Sequence, residues 1–225
     1  MRPSRPQPQA LHIPDDLRHY RGVRTARYGA SPPRFPDGID VEESVRLLPP
    51  GATTKGMFLL DALRKVEDRA PRFDLFAAAG LEQHRILPFF DYPFSELMRL
   101  LVAAAEVLYP TLQVGDGVRR LGRSAYEAPL QARIGKLLFA VVGKDFARVA
   151  SLGVRGWKIS ASFGKVRFES LGEGHAAYHF SDFPAFIDTY QVGVVEGAMS
   201  ACRVDGEVWV KLDGPGDGTL EFFWG

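Results

Sequence analysis

Residues 165–181 read KVRFESLGEGHAAYHFS, and this stretch decides the fold class. Val166 and Phe168 alternate with charged neighbours, and Tyr178 and Phe180 do the same on the other side of a glycine-rich turn. A period of two is typical of strands that bury one face, and the Gly172-Glu-Gly174 turn joins them as a hairpin. The stretch therefore predicts two neighbouring antiparallel strands.

The segment after this hairpin predicts a helix and a second pair of strands. Ser181-Asp182 provides a cap and Pro184 suits a first helical turn, so we expect a helix running to about Ala201. Alternation returns at 208–212 and at 220–224, around a turn at 213–218. The short connections favour antiparallel pairing with helices on one face of the sheet.

The chain before residue 160 has the period of helices. Thr53 or Thr54 can cap a helix that ends at Arg69, and Ser95 can cap an amphipathic helix that stops before Pro110. We expect further helices over 73–83, 114–142 and 144–159, the second one broken at its internal glycines and Pro129. The predicted fold class is α+β, with an N-terminal helical part (54–160) followed by a C-terminal antiparallel β-β-α-β-β sheet (161–225) that carries helices on one face.

Composition changes near residue 53. Nine of the 16 prolines lie in residues 1–53, and residues 1–36 hold seven arginines against two aspartates. Such a segment has little apolar surface to offset the entropy of ordering. We predict a Pro/Arg-rich arm over residues 1–53, extended to residue 36 and irregular over 37–53, ahead of a single domain over 54–225.

Charge and cysteine content exclude several classes of protein. The net charge is +1, and no basic motif with interleaved aromatic residues predicts binding to nucleic acid. Cys202 is the single cysteine, which suits a reducing compartment. No apolar stretch is long enough to span a bilayer, and residues 1–10 lack the apolar core of a secretory signal. We expect a cytoplasmic protein.

Motifs for catalysis and metal binding are missing from the sequence. It contains no phosphate-binding glycine loop and no Gly-x-Ser-x-Gly elbow. Cys202 ends an apolar helix, where a cysteine usually acts as a small buried hydrophobe. His175 and His179 fall four apart in a strand, about 13 Å from each other, too far to share a metal. We therefore predict a protein that is not an enzyme and has no catalytic, metal or cofactor-binding residues.

Two features have alternative interpretations. Gly193 and Gly197 lie on one face of the predicted helix, so another backbone can approach closely. They indicate close packing of helix on sheet, the floor of a ligand pocket, or a dimer seam. The aromatic residues Phe89, Phe90 and Tyr92 indicate either a partner surface or a lid folded back on the core.

Several short motifs resemble an uncharacterised paralogous family expanded in myxobacteria. These motifs are Lys55-Gly56-Met-Phe, Tyr92-Pro93 ahead of Ala103–Glu106, Leu121-Gly122-Arg123, and Gly193-x-x-x-Gly197 after Tyr190. More distantly, the layout is similar to the superfamily of haem-nitric oxide-binding domains, 4-vinyl-reductase-type domains and TRAPP vesicle-tethering subunits. That resemblance implies a helical part followed by an antiparallel α+β part, an apolar pocket, and dimers in many members.

The haem members of that superfamily carry a proximal histidine and a Tyr-x-Ser-x-Arg signature. This sequence has no histidine between His84 and His175, and Tyr190-Gln-Val-Gly193 stands in the clamp region without serine or arginine. We therefore expect neither haem nor any other cofactor. The cysteine cluster of some 4-vinyl-reductase-type domains is also missing from the sequence.

Two functions remain open from the sequence. The first is a non-enzymatic regulatory or sensory module that binds an apolar small molecule without haem, with Trp157, Phe168, Tyr178 and Tyr190 lining the pocket. The alternative is an interaction or scaffold protein with a solid core that works as a homodimer or tethering subunit.

Overall fold

The structure is a computed structural model that describes residues 9–10, 23–27, 39–131 and 145–225. Its main sheet combines two short N-terminal strands with four C-terminal ones. These are β1 (Gln9–Ala10), β2 (Val23–Arg27), β5 (Lys165–Gly172), β6 (His175–Ser181), β7 (Gly206–Leu212) and β8 (Gly218–Trp224). Their order in the sheet is β1-β2-β7-β8-β6-β5.

The four C-terminal strands pair as the sequence predicts. Arg167 lies opposite His179 and Phe168 opposite Tyr178, so β5 and β6 form the expected antiparallel hairpin. β8 pairs antiparallel with both β6 and β7. Tyr178 and Phe222 belong to the buried core, which the helices complete on one face of the sheet. The α+β fold class is confirmed.

One strand departs from the antiparallel prediction. β2 pairs parallel with β7, and Thr25 lies opposite Val208. Its sequence, VRTAR, contains two β-branched residues, Val23 and Thr25, which favour a strand, but the arginines around them give no clear alternation. A parallel partner needs a long connection, and here residues 28–205 lie between the two strands. The extended arm predicted for residues 1–36 therefore contributes two strands to the sheet.

Six of the described helices lie between β2 and β5 in the chain, and a seventh lies between β6 and β7. They are α1 (Val41–Arg46), α2 (Gly56–Arg69), α3 (Leu75–Ala78), α4 (Phe94–Leu108), α5 (Val114–Gln131), α6 (Phe146–Ser160) and α7 (Val192–Cys202). A two-stranded sheet, β3 (Thr53–Lys55) with β4 (Asp91–Pro93), lies among them. The structure thus contains the helical part that the sequence predicts.

Several predicted boundaries in the helical part are wrong. Thr53 and Thr54 do not cap a helix, because they pair with β4, and α2 begins at Gly56. Ser95 is not a cap either, since α4 begins one residue earlier. The irregular segment predicted over 37–53 contains α1, in whose first turn the Asp40 carboxylate accepts a hydrogen bond from the Glu43 N–H at 2.9 Å.

The predicted break in the long helix is also wrong within the described residues. α5 runs without interruption to Gln131 through both Gly122 and Pro129. Gly122 is instead the point at which α5 touches the backbone of Tyr190. The break predicted at Gly135 lies outside the described residues.

The helix after β6 begins later than predicted. Asp182 and Phe186 adopt the left-handed conformation, with φ of 54° and 53°, so no right-handed helix can start at Ser181. A π-helical turn over Ile187–Gln191 follows and leads directly into α7. The backbone N–H of Asp182 instead donates to the Asp217 carboxylate at 3.2 Å, which ties this segment to the β7–β8 turn.

Candidate functional site

The loop before β4 projects two aromatic side chains into solvent. Phe89 is 80% exposed and Phe90 is 62% exposed, by far the highest values for large apolar residues among the described ones. The backbone around them is nevertheless fixed. The N–H of Gly56 donates to the Phe90 carbonyl at 2.9 Å, and the N–H of Met57 donates to the Pro88 carbonyl at 2.8 Å. We call Phe89 and Phe90 together the aromatic tip.

Gly56 explains why the loop fits so closely against the start of α2. A Cβ at this position would lie 2.3 Å from the Leu87 carbonyl oxygen and 2.7 Å from the Tyr92 ring. Any residue larger than glycine would push the loop away from α2, because carbon atoms and carbonyl oxygens do not approach that closely. The glycine therefore holds the aromatic tip against the helical part.

Tyr92, which the sequence groups with the tip, points the other way. Its hydroxyl oxygen accepts a hydrogen bond from the Leu87 N–H at 2.8 Å, and its ring stacks on His84 with the centroids 5.7 Å apart. Of the three residues in the predicted partner surface, two face solvent and the third braces the loop from within.

A surface cleft of about 400 Å³ lies beside β4, the strand that begins directly after the aromatic tip. Its lining is mostly apolar, with three polar side chains, those of Thr53, Asp91 and Ser95. The lining residues are Val45, Leu48, Pro49, Gly51, Ala52, Thr53, Asp91, Tyr92, Pro93 and Ser95. The cleft lies between α1 and the small sheet, on the helical part, and is separate from the aromatic residues that the sequence proposes as a pocket.

Three of the four proposed pocket residues form one packed cluster. The Trp157 and Tyr178 rings lie 4.7 Å apart between centroids, and the Phe168 and Tyr178 rings lie 5.9 Å apart. Phe180 and Phe222 contact the same cluster. These edge-on distances are those of aromatic side chains in contact with one another.

The polar atoms of this cluster also have protein partners. The Tyr178 hydroxyl donates to the Ala150 carbonyl at 2.6 Å, and the Trp157 indole N–H donates to the Gln191 side-chain oxygen at 2.9 Å. Aromatic residues with contacting rings and satisfied polar atoms stabilise a core without needing a ligand between them.

Tyr190, the fourth proposed pocket residue, lies where the π-helical turn meets α5. A Cβ on Gly122 would lie 2.2 Å from the Tyr190 carbonyl oxygen, so the two backbones touch. Burial, together with the nearby Asp61 carboxylate, raises the pKa of Tyr190 above its ordinary value. This side chain therefore remains a neutral phenol in the folded protein.

Gly193 provides a second close approach. A Cβ there would lie 2.0 Å from the Arg119 carbonyl oxygen and 2.9 Å from the Arg123 nitrogen, both in the backbone of α5. The close packing predicted for Gly193 is therefore of helix on helix, where helix on sheet was expected. Gly197 is buried in α7.

A charged cluster that the sequence motifs do not predict lies at the same helix contact. Glu196 of α7 has no exposed surface, and its carboxylate accepts hydrogen bonds from Arg119 and Arg123 of α5. Burial alone would raise the pKa of Glu196, but the charges and hydrogen bonds of the two arginines outweigh it and lower the pKa to about 2. A signal existed in the sequence, since Glu196 is the one charged residue of an otherwise apolar helix.

The sheet face that carries His179 holds a hydrogen-bonded chain of a different kind. The His179 Nε2 lies 2.8 Å from a Glu169 oxygen, and its Nδ1 lies 3.3 Å from the Thr219 hydroxyl. A hydroxyl, an imidazole and a carboxylate in a row resemble a nucleophile, base and orienting group. Catalysis also needs a concave site and free donors for an oxyanion. Here the three residues lie on a sheet face, and the N–H groups of β6 and β8 are used in strand pairing.

The described residues contain no group of three or more histidine, cysteine, aspartate or glutamate side chains placed to hold a metal ion. Cys202 is 4% exposed, as predicted for a small buried hydrophobe. Burial, with a contribution from the Asp145 carboxylate, raises the pKa of its thiol to about 11. Within the part of the chain that the structure describes, no helix is long and apolar enough to cross a membrane.

Comparison with solved structures defines the fold. The chain is similar to the unliganded Fe(II) H-NOX protein from K. algicida, with 14% identity, a TM-score of 0.59, and coverage of 76% of this chain and 96% of that one. It is also similar to an oxygen-binding H-NOX domain related to soluble guanylate cyclases, in its oxygen complex, with 13% identity, a TM-score of 0.58, and coverage of 76% and 94%. A T. tengcongensis H-NOX variant gives 14% identity, a TM-score of 0.56, and coverage of 76% and 97%. The chain therefore has an H-NOX-like fold.

The family follows from the sequence match. Residues 48–224 match the family described as "Protein of unknown function (DUF2378)", and the chain belongs to this family. No curated protein matches the chain. The resemblance to the haem-nitric oxide-binding superfamily is thus confirmed at the level of fold, while the link to myxobacterial paralogues stays a prediction.

The described histidines and Cys202 do not fit the role of a haem ligand. Haem iron needs an axial histidine, thiolate, thioether or phenolate ligand. The histidines at positions 84, 175 and 179 each lie near a carboxylate at the protein surface, and the buried Cys202 is held as a thiol. The contact between α5 and α7 is also made by backbone atoms at Gly193, which leaves no gap for a flat ring system there.

Proposed function

We propose that this protein is a non-enzymatic interaction module that presents its aromatic tip to a protein partner. The observation that carries the proposal is the combination of high exposure with a fixed backbone. Phe89 and Phe90 are 80% and 62% exposed, and the loop that holds them is tied to α2 by two backbone hydrogen bonds. Exposed apolar patches often mark sites of protein–protein contact, and these two adjacent side chains form such a patch on an ordered loop.

The energetics of such a tip favour binding. Burying a phenylalanine side chain contributes about 1.5–3 kcal/mol. The cost of ordering is small, because the loop is already held by the Gly56 and Met57 N–H groups and by the Tyr92 hydroxyl. An aromatic pair on a pre-ordered loop therefore loses little of its burial energy to ordering of the loop, and aromatic residues are common at the centre of an interface.

The packed core supports an interaction role over a ligand site between the two halves. Trp157, Phe168 and Tyr178 contact one another, and their polar atoms bond to the protein. The two halves are joined by backbone contact at Gly193. A small molecule bound there would have to separate aromatic rings that are in contact and break hydrogen bonds that are already formed.

A sensory module for an apolar ligand is the second candidate. Two observations favour it: the fold is shared with H-NOX proteins, and the cleft of about 400 Å³ beside β4 falls within the size range of ligand sites. Native mass spectrometry of the purified protein tests this role. A small molecule that the parent protein retains, and that a variant with a larger side chain in the cleft does not retain, would support the sensory role. The mass of the protein alone in every preparation would refute this role.

The interaction role is tested by replacing the tip. The protein is cross-linked chemically to its neighbours in cells of the organism that makes it. A partner protein that is cross-linked to the parent chain should be absent from the double variant Phe89→Ser/Phe90→Ser. Leu171→Ser is a matched control, because Leu171 is 43% exposed at the end of β5. Both variants should keep the unfolding temperature of the parent, because the replaced side chains lie mainly in solvent. An unchanged set of cross-linked partners in the double variant would refute the proposal.

A further inference from the structure

We infer that the free edge of β5 pairs with the same edge of a second copy of this chain, so that one sheet runs through both molecules. β5 belongs to the main sheet, whereas the aromatic tip belongs to the helical part. The inference therefore goes beyond the proposed function and does not depend on it. Three features of residues 166–170 carry it: an open backbone edge, the lack of devices that protect such an edge, and a charge order that complements itself.

β5 is the last strand at its end of the main sheet. It pairs with β6 on one side, and within the described residues no strand pairs with its other side. The strand is also accessible to solvent, since the Arg167 side chain is 64% exposed and Ser170 is exposed as well. An edge strand carries a row of N–H and C=O groups that point away from its neighbour, and these can pair with another strand. β5 is therefore open to one further strand.

The usual protection of an edge strand is missing from the middle of β5. Proteins prevent edge pairing with very short strands, prolines, inward-pointing charges or bulges. β5 has eight residues and no proline, and its core face carries the apolar residues Val166 and Phe168. Lys165 stands at its first residue, and its bulge lies at the other end, between Ser170 and Gly172. Residues 166–170 are thus a regular and unprotected edge.

The helix on the core face leaves this edge uncovered. Phe146 of α6 contacts the Phe222 ring of β8 with centroids 5.7 Å apart, and Trp157 of α6 contacts the Tyr178 ring of β6 at 4.7 Å. These contacts place α6 over β6 and β8, inward of β5. A strand added beside β5 therefore meets the side of the sheet and does not displace the helix.

The order of charges in β5 favours pairing with its own copy in one register. A two-fold axis at residue 168 places Phe168 opposite its copy and Arg167 opposite Glu169 of the other molecule. An axis at residue 167 or 169 would place two arginines or two glutamates opposite each other, and like charges directly opposite destabilise a strand pair. The register centred on Phe168 is the one of these three in which opposite charges meet.

Both charges are in place before the second copy arrives. Arg167 and Glu169 lie 2.9 Å apart within one strand, and the Glu169 carboxylate also lies 2.8 Å from His179. The hydrogen bond from Arg167, followed by the one from His179, lowers the pKa of Glu169, so this carboxylate is charged at neutral pH. In the paired strands, two arginines and two glutamates alternate around the axis, and each arginine adjoins two carboxylates.

The core face of β5 also gains from the pairing. Phe168 is half-buried, with its ring 5.9 Å from that of Tyr178. Two copies of Phe168 opposite each other bury further apolar surface, and aromatic pairs across strands are stabilising. A contact of five residues from each strand is smaller than a standard protein interface, so we expect a reversible dimer that forms at high protein concentration.

Sedimentation velocity from micromolar to millimolar protein tests the inference by reversing the charges. The parent chain should pass from monomer to dimer. Arg167→Glu and Glu169→Arg should each weaken the dimer about tenfold or more, because each places like charges opposite each other at two symmetric positions. The double variant Arg167→Glu/Glu169→Arg should restore the parental affinity, because opposite charges face each other again. Thermal unfolding of the dilute variants checks that each monomer is folded.

Two variants serve as controls for this series. Leu171→Ser should leave the dimer unchanged, because Leu171 is 43% exposed but lies in the bulge, outside the paired residues. Phe89→Ser/Phe90→Ser should also leave it unchanged, because the aromatic tip is not part of the edge. A dimer that the tip variant abolishes would show that the tip forms the interface, and the edge inference would fail.

Disulfide formation measures the register directly. The two copies of residue 168 lie opposite each other with Cα atoms about 4.5–5.5 Å apart, within reach of a disulfide. The two copies of residue 171 lie about 20 Å apart along the strands. Under mild oxidation, Phe168→Cys should therefore give a covalent dimer faster than Leu171→Cys. Equal rates for these two variants would contradict the register.

The inference is overturned by a parent chain that stays monomeric at every concentration, by a dimer that the single charge reversals leave unchanged, or by a double variant that does not recover. If the parent is monomeric while the tip still captures a protein in cells, the edge inference fails and the interaction role of the tip stands. If the edge pairs as described and the tip captures nothing, the interaction role alone fails.

Discussion

Replacing Gly193 by alanine should strongly destabilise the protein, because the new methyl group has no space. Its Cβ would lie 2.0 Å from the Arg119 carbonyl oxygen, where a carbon and an oxygen normally keep at least about 3.3 Å. The second neighbour, the Arg123 nitrogen at 2.9 Å, belongs to the same helical backbone and cannot rotate away. α7 and α5 must therefore separate by more than about 1 Å, which we expect to cost about 3 kcal/mol or more.

Gly156→Ala is the matched control for this change. Gly156 lies inside α6, and a Cβ there meets nothing within 4 Å. Alanine is favoured over glycine in a helix interior by up to about 1 kcal/mol. The same chemical change should therefore stabilise the protein at position 156 and destabilise it at position 193.

Urea and thermal unfolding followed by circular dichroism measure both effects. For a chain of this length each kcal/mol shifts the unfolding temperature by about 2–4 °C, so Gly193→Ala should lower it by about 6–12 °C and Gly156→Ala should raise it by about 2–4 °C. The urea slope should stay the same in both variants if the folded state remains compact. A Gly193→Ala protein as stable as its parent would refute the close approach of α7 to α5.

Three further predictions concern buried polar groups. Glu196→Gln should destabilise the protein by about 3–5 kcal/mol, because it removes the buried carboxylate charge that the Arg119 and Arg123 guanidinium groups bind. The pKa of Glu196 is lowered from 4.5 to about 2 in the folded state, so its contribution to stability is complete above pH 4.5 and is lost as the pH falls towards 2. Unfolding measured over this acid range should show the loss of stability in the parent and not in the Glu196→Gln variant. Equal pH profiles for the two proteins would contradict the assignment. Cys202, whose thiol pKa is raised to about 11, should react with a thiol reagent at pH 8 only after denaturant is added, and rapid reaction of the folded protein would contradict its burial. Tyr178→Phe should lower the free energy of unfolding by about 1 kcal/mol, because the Ala150 carbonyl loses its buried hydrogen bond, and an unchanged urea midpoint would show that bond to be unimportant.

The parts of the fold that depend on local pattern could be predicted from the sequence. The alternation in β5 and β6 gives the hairpin, and the apolar stripe of α4 gives its helix, because burial of one face sets the period of each element. Thr54 shows where local reasoning fails. It has the chemistry of a helix cap, but pairing with Tyr92 of β4 outweighs that preference, and a partner so far along the chain is not visible in a local window.

The candidate site, like the fold, can be predicted from the sequence only where it depends on local pattern. The spacing of Gly193 and Gly197 indicates a close approach, but the identity of the neighbouring helix depends on tertiary packing. The exposed tip is one of two interpretations that the sequence of the aromatic loop allows, and the hydrogen bonds that hold the loop against α2 join distant parts of the chain, which a local pattern does not show. The sequence signal for the Glu196 cluster is an acidic residue within an apolar helix, together with two arginines four apart elsewhere in the chain.

The distance along the chain between the members of that cluster bears on how the protein is made. Arg119 and Arg123 emerge from the ribosome long before Glu196, which lies 77 and 73 residues further along, and until α7 is synthesised they have no such carboxylate to dock against. Contacts of this sequence separation form slowly, and proteins rich in them fold late. We therefore expect the helical half of the nascent chain to stay loosely packed, and to depend on chaperones, until α7 has been synthesised. Resistance to protease should then appear in a single step.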